Sequence, residues 1–368
     1  MIILLWIFAT VAVFLISINM YIRVAPQFGK RPDKQEMAAK AINSVYIDEK
    51  FQNQNKIPTL LPGSYGKLMR LVFAKNPGRV PETPIPSVAP EFGEKAGTGD
   101  VSVIWLGHSS VLIKIENTIM LTDPVFSKRA SPVSFFGPKQ FNYTISFTPE
   151  NTPYPDIILI SHDHFDHLDY RIIKRYYSGV KTFIVPLGIK SHLVRWGVPE
   201  LSITELDWWD QKDYNKELSF IATPAQHFSG RQGQNNSSLW CSWVIRGENG
   251  NIFYCGDSGY STHFREIGEK YGPFDLTLME SGAYGKYWPY IHMLPEESVR
   301  AYTDLRGKVL LPIHWGKFNL AFHSWKEPVE RIWQEALKKG IDLVVPVPGQ
   351  EYKLGMGIEK SMWWKKID

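Results

Sequence analysis

Four consecutive apolar residues, Ile157 to Ile160, run directly into Ser161-His162-Asp163-His164-Phe165-Asp166-His167-Leu168-Asp169. No other stretch limits so sharply what the chain can become. The apolar run reads as a buried strand, and the loop after it brings His162, His164, Asp166 and His167 within one short span. Imidazole and carboxylate are the ligands that zinc and similar borderline cations accept. In this register His162 and His164 can grip one ion, while Asp166 and His167 turn toward a second. The plain alternative is a polar surface loop that happens to be rich in histidine. So dense a cluster directly after a buried strand favours a two-metal hydrolase.

Three later positions share the same grammar of an apolar strand ending in one ligand-type residue. Phe220 to Gln226 leads to His227, Ile252 to Gly256 leads to Asp257, and Val309 to Ile313 leads to His314. Each alone is an ordinary hydrogen-bonded residue at a strand end. Together they supply a third ligand for each ion and a carboxylate to bridge them.

The strands themselves predict a fold. Val101–Leu106, Ser110–Ile115 and Ile119–Thr122 read as an antiparallel meander, followed by a loop from Asp123 to Pro138 and the strand near Ile157. Helices are expected at Tyr170–Tyr177 and Gly188–Trp196, with a strand at Thr182–Val185 between them. The second half repeats the rhythm, with strands at Ser202–Leu206, Leu218–Ala222, Leu239–Ile245, Asn251–Cys255, Asp275–Met279, Val309–Ile313 and Leu343–Val345. Its helices fall at Tyr260–Lys270, Pro295–Asp304 and Pro328–Lys339, the second with proline in its first turn and Glu296-Glu297 at the favourable end of its dipole. Strand-dominated halves punctuated by helices predict two packed sheets with helices outside, a four-layer αββα sandwich of the α/β class.

The N-terminus stands apart. Ile2 to Ile18 carries no charge and is relieved only by Thr10 and Ser17. Extended to Ile22 it is long enough to span a hydrocarbon core at about 1.5 Å per residue. A cleaved signal peptide would want a basic n-region and a small-residue cleavage site, and neither is present. An uncleaved transmembrane anchor over residues 1–22 is therefore expected, with export as the rival. Arg23, Lys30, Arg31 and Lys34 follow it, which predicts a cytoplasmic catalytic part. Residues 23–99 are polar and broken by Pro26, Pro32, Pro58, Pro62, Pro77, Pro81, Pro84, Pro86 and Pro90. They read as an arm laid over a domain, or a linker, with short helices near Asp33–Ile42 and Tyr65–Phe73. The hydrolase domain is then 100–368.

Composition excludes some classes. A net charge of +4 without basic tracts gives a nucleic-acid backbone nothing to bind, so no nucleic-acid partner is expected. The cysteines, Cys241 and Cys255, lie in apolar strand-like surroundings and read as small core residues rather than a disulfide. Oligomeric state is left open, a dimer included.

Flanking motifs narrow the hydrolase. The ordered ligand set is similar to that of the metallo-β-lactamase superfamily. Trp105-Leu106-Gly107-His108-Ser109-Ser110, Leu121-Thr122-Asp123-Pro124, Gln226-His227-Phe228-Ser229-Gly230-Arg231, Leu239-Trp240, Gly256-Asp257-Ser258-Gly259, His292-Met293-Leu294-Pro295-Glu296-Glu297 and His314-Trp315-Gly316 resemble the branch of N-acyl-phosphatidylethanolamine-hydrolysing phospholipase D and its bacterial relatives. A weaker echo lies in Ala25-Pro26-Gln27-Phe28-Gly29. The resemblance implies one zinc on His162, His164 and His227 and a second on Asp166, His167 and His314, bridged by Asp257, with iron or manganese as alternative metals. It implies a water activated between the ions that attacks phosphorus, with Asp257 and Asp166 in the catalytic centre. The implied substrate is a phospholipid or other small phosphodiester at a membrane; a lactone, ester or amide is the alternative. A membrane-tethered scaffold without activity would require missing ligands, and none is missing.

Around this set the resemblance places Asp123 as the carboxylate that orients a ligand histidine, against a simple turn before Pro124. It sets His292 near the substrate phosphate, against a cap for the helix at Pro295. Arg231 could pair with a phosphate oxygen or form a surface salt bridge. His108 is expected to pack in the meander, His192 and His263 to be ordinary surface residues, and His323 to lie near the pocket. Trp208-Trp209 and Trp240/Trp243 could line an apolar groove or pack in the core. The tail Met362-Trp363-Trp364-Lys365-Lys366 reads as an interfacial segment or as a tail tucked onto the domain.

Overall fold

A computed structural model describes residues 2–74, 77–93, 101–231, 236–357 and 361–367. The expected boundary at 99/100 lies outside the described residues. Helix α1, Ile2–Val24, is one uninterrupted 23-residue helix, predominantly apolar until Arg23 in its last turn. It is long and apolar enough to cross a membrane, and its apolar window is 0% buried against the rest of the chain. After it come α2 (Lys34–Lys40), capped by the Asp33 carboxylate, the hairpin β1–β2 (Val45–Ile47, Lys50–Gln52) and α3 (Tyr65–Phe73).

Residues 25–74 and 77–93 form an arm laid over the domain. Met37, Phe51 and Ile85 are buried in the same apolar cluster as the sheet residues, so their burial holds the arm in place. The motif Ala25 to Gly29 serves the same end: Trp196 donates its indole N–H to Pro26 O, and the Phe28 ring meets Phe165 edge to face.

The meander β3 (Ser102–Trp105), β4 (Val111–Ile115) and β5 (Thr118–Thr122) continues in parallel through β6 (Ile157–Leu159), β7 (Thr182–Pro186) and β8 (Ile203–Leu206). Helices α4 (Tyr170–Tyr176) and α5 (Lys190–Arg195) are its crossovers. The second sheet runs β9 (Gln211–Asp213), β10 (Leu218–Thr223), β11 (Ser242–Gly247), β12 (Asn251–Tyr254), β13 (Phe274–Glu280), β14 (Gly307–Ile313) and β15 (Asp342–Leu343), with α6 (His263–Tyr271), α7 (Pro295–Asp304) and α8 (Glu327–Lys339) between its later strands. Strand β16 (Glu351–Lys353) returns to the edge of the first sheet, on β3. Both sheets are mixed and share one apolar core, which is the expected αββα sandwich.

One departure has a local cause. The strand expected at Leu239–Ile245 starts at Ser242 because Cys241 N–H donates to Ser161 O, and Trp243 donates its indole N–H to Ile160 O. Those residues stitch the second sheet to the metal loop. The tryptophans at 208, 240 and 243 are core, and the tail is tucked in: Trp363 and Trp364 are buried against Trp315 and Trp333. An interfacial tail is thereby ruled out for these side chains.

Candidate metal centre

Every ligand-type residue expected at a strand end arrives at one point between the sheets. His162 Nε2 lies 2.9 Å from His164 Nδ1, which is 3.3 Å from His227 Nε2. On the other side, Asp166 Oδ2 lies 3.6 Å from His167 Nε2 and 3.7 Å from His314 Nε2. Asp257 Oδ2 sits between the two groups, 3.0 Å from His314 Nε2, 3.2 Å from His167 Nε2, 3.7 Å from His227 Nε2 and 3.9 Å from His162 Nε2.

The donor set fits two cations. Ligands about 2.0–2.1 Å from a tetrahedral zinc stand roughly 3.3 Å apart, the spacing seen within each triad. His167 Nε2, Asp257 Oδ1 and both ring nitrogens of His314 are buried without a hydrogen-bond partner, a costly state for polar atoms unless something else binds them. Burial pushes His162 and His227 well below the ordinary histidine range, leaving the neutral imidazoles that bind metals. Burial also opposes charge on Asp257, but His167 and His314 beside it hold its carboxyl well below the usual carboxylate range.

Comparison with known proteins bears on this arrangement. The model of the β-lactamase superfamily domain matches residues 118–315. An uncharacterized protein of Mycobacterium tuberculosis is 41% identical over 80% of this chain and 79% of its own. N-acyl-phosphatidylethanolamine-hydrolyzing phospholipase D 1 of Caenorhabditis elegans is 36% identical over 62% of this chain and 67% of its own. Among solved structures, Igni18, a metallo hydrolase from Ignicoccus hospitalis, superposes with a TM-score of 0.54 at 20% identity, covering 70% of this chain and 100% of its own. The chain belongs to the metallo-β-lactamase superfamily. It is a metal-dependent hydrolase of that superfamily.

As in any metallo-β-lactamase-type centre, the histidines need partners that fix which nitrogen faces the ion. Asp123 does this for His167: its Oδ2 is 2.7 Å from His167 Nδ1 and also accepts from Ser161 Oγ and Tyr254 Oη. Ile291 O does it for His227 Nδ1 at 2.9 Å, and Ser161 Oγ for His162 Nδ1. The backbone is bent to suit. Asp123, His108 and His314 hold φ of 33°, 54° and 64°, a left-handed conformation that non-glycine residues rarely adopt and that collects at functional sites. Gly256 (φ 60°) turns β12 into Asp257, and a Cβ there would stand 2.7 Å from Ser161 Cβ.

Several residues differ from expectation. Arg231 is not aimed at the centre: it is buried, donates from Nε to Gln27 O and from Nη1 to Asp163 O, and lies over the Phe165 ring. Its charge is used to tie the arm to the metal loop. His192 and His263 are buried rather than superficial. His192 Nδ1 accepts from Lys30 N–H, and its other nitrogen faces Asp163; His263 Nε2 meets Ser258 Oγ. His108 packs as expected, yet its Nε2 also reaches Asp166 Oδ2 at 3.1 Å. His323 stacks on Tyr284 beside the cleft described below.

Two residues of this metallo-β-lactamase-type site were not foreseen. Glu280, fully buried at the end of β13, holds His292 Nδ1 at 2.9 Å; the apolar run before it carries the same strand-end signal as the other ligands. Asn53, in the arm, accepts from His227 N–H and donates to His227 O, with no signal in the sequence around it. His292 lines both the metal pocket and a neighbouring apolar cleft of about 490 Å³, walled by Leu71, Tyr284, Tyr287, Trp288 and Phe322.

Proposed function

We propose that this hydrolase is a membrane-anchored dizinc phosphodiesterase that cleaves a phospholipid headgroup, in the manner of a phospholipase D acting on N-acylphosphatidylethanolamine. The observation that carries this reading is the apolar cleft opening beside the metal pocket, with His292 and Trp288 in both walls. A polar reacting centre continuous with an apolar slot suits an amphipathic substrate. The helix long enough to span a bilayer supports it, since it holds the site near such a substrate. So does the relative named as hydrolysing N-acylphosphatidylethanolamine.

His162, His164 and His227 would hold one zinc, Asp166, His167 and His314 the other, and Asp257 would bridge them. Bound there, the ions would supply a deprotonated water and neutralise charge on phosphate oxygens. The chain's own residues do the rest. Asp123, Ser161 and Ile291 O fix the ligand rings. His292, with Nδ1 engaged by Glu280, presents its other nitrogen to the pocket, where it can hydrogen-bond a phosphate oxygen. Leu71, Tyr287 and Trp288 exclude water from the apolar part of the substrate. Positive residues after the helix favour a cytoplasmic domain.

The test is a substrate comparison with detergent-solubilised, metal-loaded full-length protein. Phosphatidate released from N-acylphosphatidylethanolamine, and abolished by chelation, supports the reading. Protein that carries metal, leaves phospholipids intact and opens lactones or other esters would sink it.

A further inference from the structure

We infer that the loop of residues 131–137 is a second membrane contact, a lipid-inserting tip that sets how the anchored domain lies on the bilayer. This rests on the anchored reading above.

Phe135 and Phe136 are adjacent and 81% and 74% exposed. Neighbouring aromatic side chains left in water on a loop tip call for a partner. The loop that carries them is held in shape. Ala130 N–H donates to Pro138 O and Gln140 N–H to Lys128 O, closing its base, while the Arg129 guanidinium donates to Ser134 O and Gly137 O inside it. Its base is tied to the segment after His314 by Phe141 N–H donating to Lys317 O. The base of the loop thus joins the segment that follows His314.

The occupant follows from position and charge. Phe135 shares the wall of one surface cavity with Tyr21, in the last turn of α1. Tyr21 and Arg23 close the apolar helix, as residues at the headgroup level of a bilayer do. Phe135, which shares that cavity wall with Tyr21, and its neighbour Phe136 would then enter the bilayer near the headgroup level. Lys128 and Lys139 flank the tip and Arg171 lines the cavity's rim, all exposed, which suits anionic headgroups around inserted rings.

Cys241 and Cys255 are buried, so Phe135→Cys in the full chain gives one accessible thiol for an environment-sensitive label. The same label goes on Leu337→Cys in α8 and Leu15→Cys in α1, each protein in nanodiscs of phosphatidylcholine and phosphatidylglycerol. A lipid-borne nitroxide should quench the labels at 15 and 135 several-fold more than the one at 337, and the response at 135 should weaken in pure phosphatidylcholine. Quenching at 15 with a water-like label at 135 overturns the proposal and leaves the anchor intact. No quenching at 15 sinks the anchored reading itself. A label at 135 shielded only in discs carrying two copies would assign the loop to a second chain, which also overturns it.

Discussion

Glu280 Oε2 accepts from His292 Nδ1 at 2.9 Å, and Glu280 Oε1 accepts from Met293 N–H at 2.6 Å, so one buried carboxylate fixes both the ring and the backbone of a segment that lines the candidate metal pocket. Burial raises the Glu280 carboxyl above its ordinary value, a cost justified only if the pair must keep its geometry. Partners of this kind are worth about 10–100-fold in activity. Glu280→Gln should lower kcat by that factor with both metals retained. Metal analysis beside steady-state kinetics checks it; loss of metal instead would make Glu280 part of the coordination shell.

Asp257 lies between the two triads of ligand-type residues. Its Oδ2 is within 3.9 Å of four histidine nitrogens, two from each triad. Asp257→Asn keeps the shape and removes the charge that lets two cations share the space. Metal content should fall from about two per chain to one or fewer, and activity by at least about a thousandfold, the several kcal/mol that metal charge supplies. A variant with two metals and near-normal turnover would refute the bridging role.

The cluster was legible because four separate apolar strands each lead into a ligand-type residue, and the fold brings those strand ends together. Glu280 obeys the same rule but is a common residue type, so it did not stand out. The strands at Gln211–Asp213 and Glu351–Lys353 escaped notice because short polar edge strands carry no alternation. Arg231 misled for another reason: four residues from a ligand is close in sequence, but the turn through Gly230, whose N–H donates to Asp163, points its side chain to the arm.

The arm hides its role completely in sequence. Asn53 clasps His227 through both N–H and O, and Phe51 is fully buried two residues earlier. Asn53→Ala should loosen His227 and weaken metal binding by about tenfold, with little change in folding, since a carboxamide near a ligand acts as an outer partner. Phe51→Ala should cost about 3–5 kcal/mol of stability. Competition with a chromogenic chelator and urea unfolding separate the two; an arm that merely links would show neither effect.

Lys317 is buried three residues after His314, donating from Nζ to Leu106 O. Burial pushes its ammonium down to about 7, with Asp169 opposing. An unfolded chain keeps that proton to about pH 10.4, so between pH 7 and 10 the unfolded state binds more protons than the folded one. Stability from this group therefore rises with pH across that window, and the burial penalty is complete below pH 7. Lys317→Met removes the penalty and leaves the Leu106 carbonyl without its donor, which costs about 1–3 kcal/mol at any pH. The variant should be more stable than the parent at pH 6, lose that advantage by pH 9.5, and show a flatter urea midpoint between them. Parallel midpoint curves for the two proteins would mean that Lys317 holds its proton in the folded state.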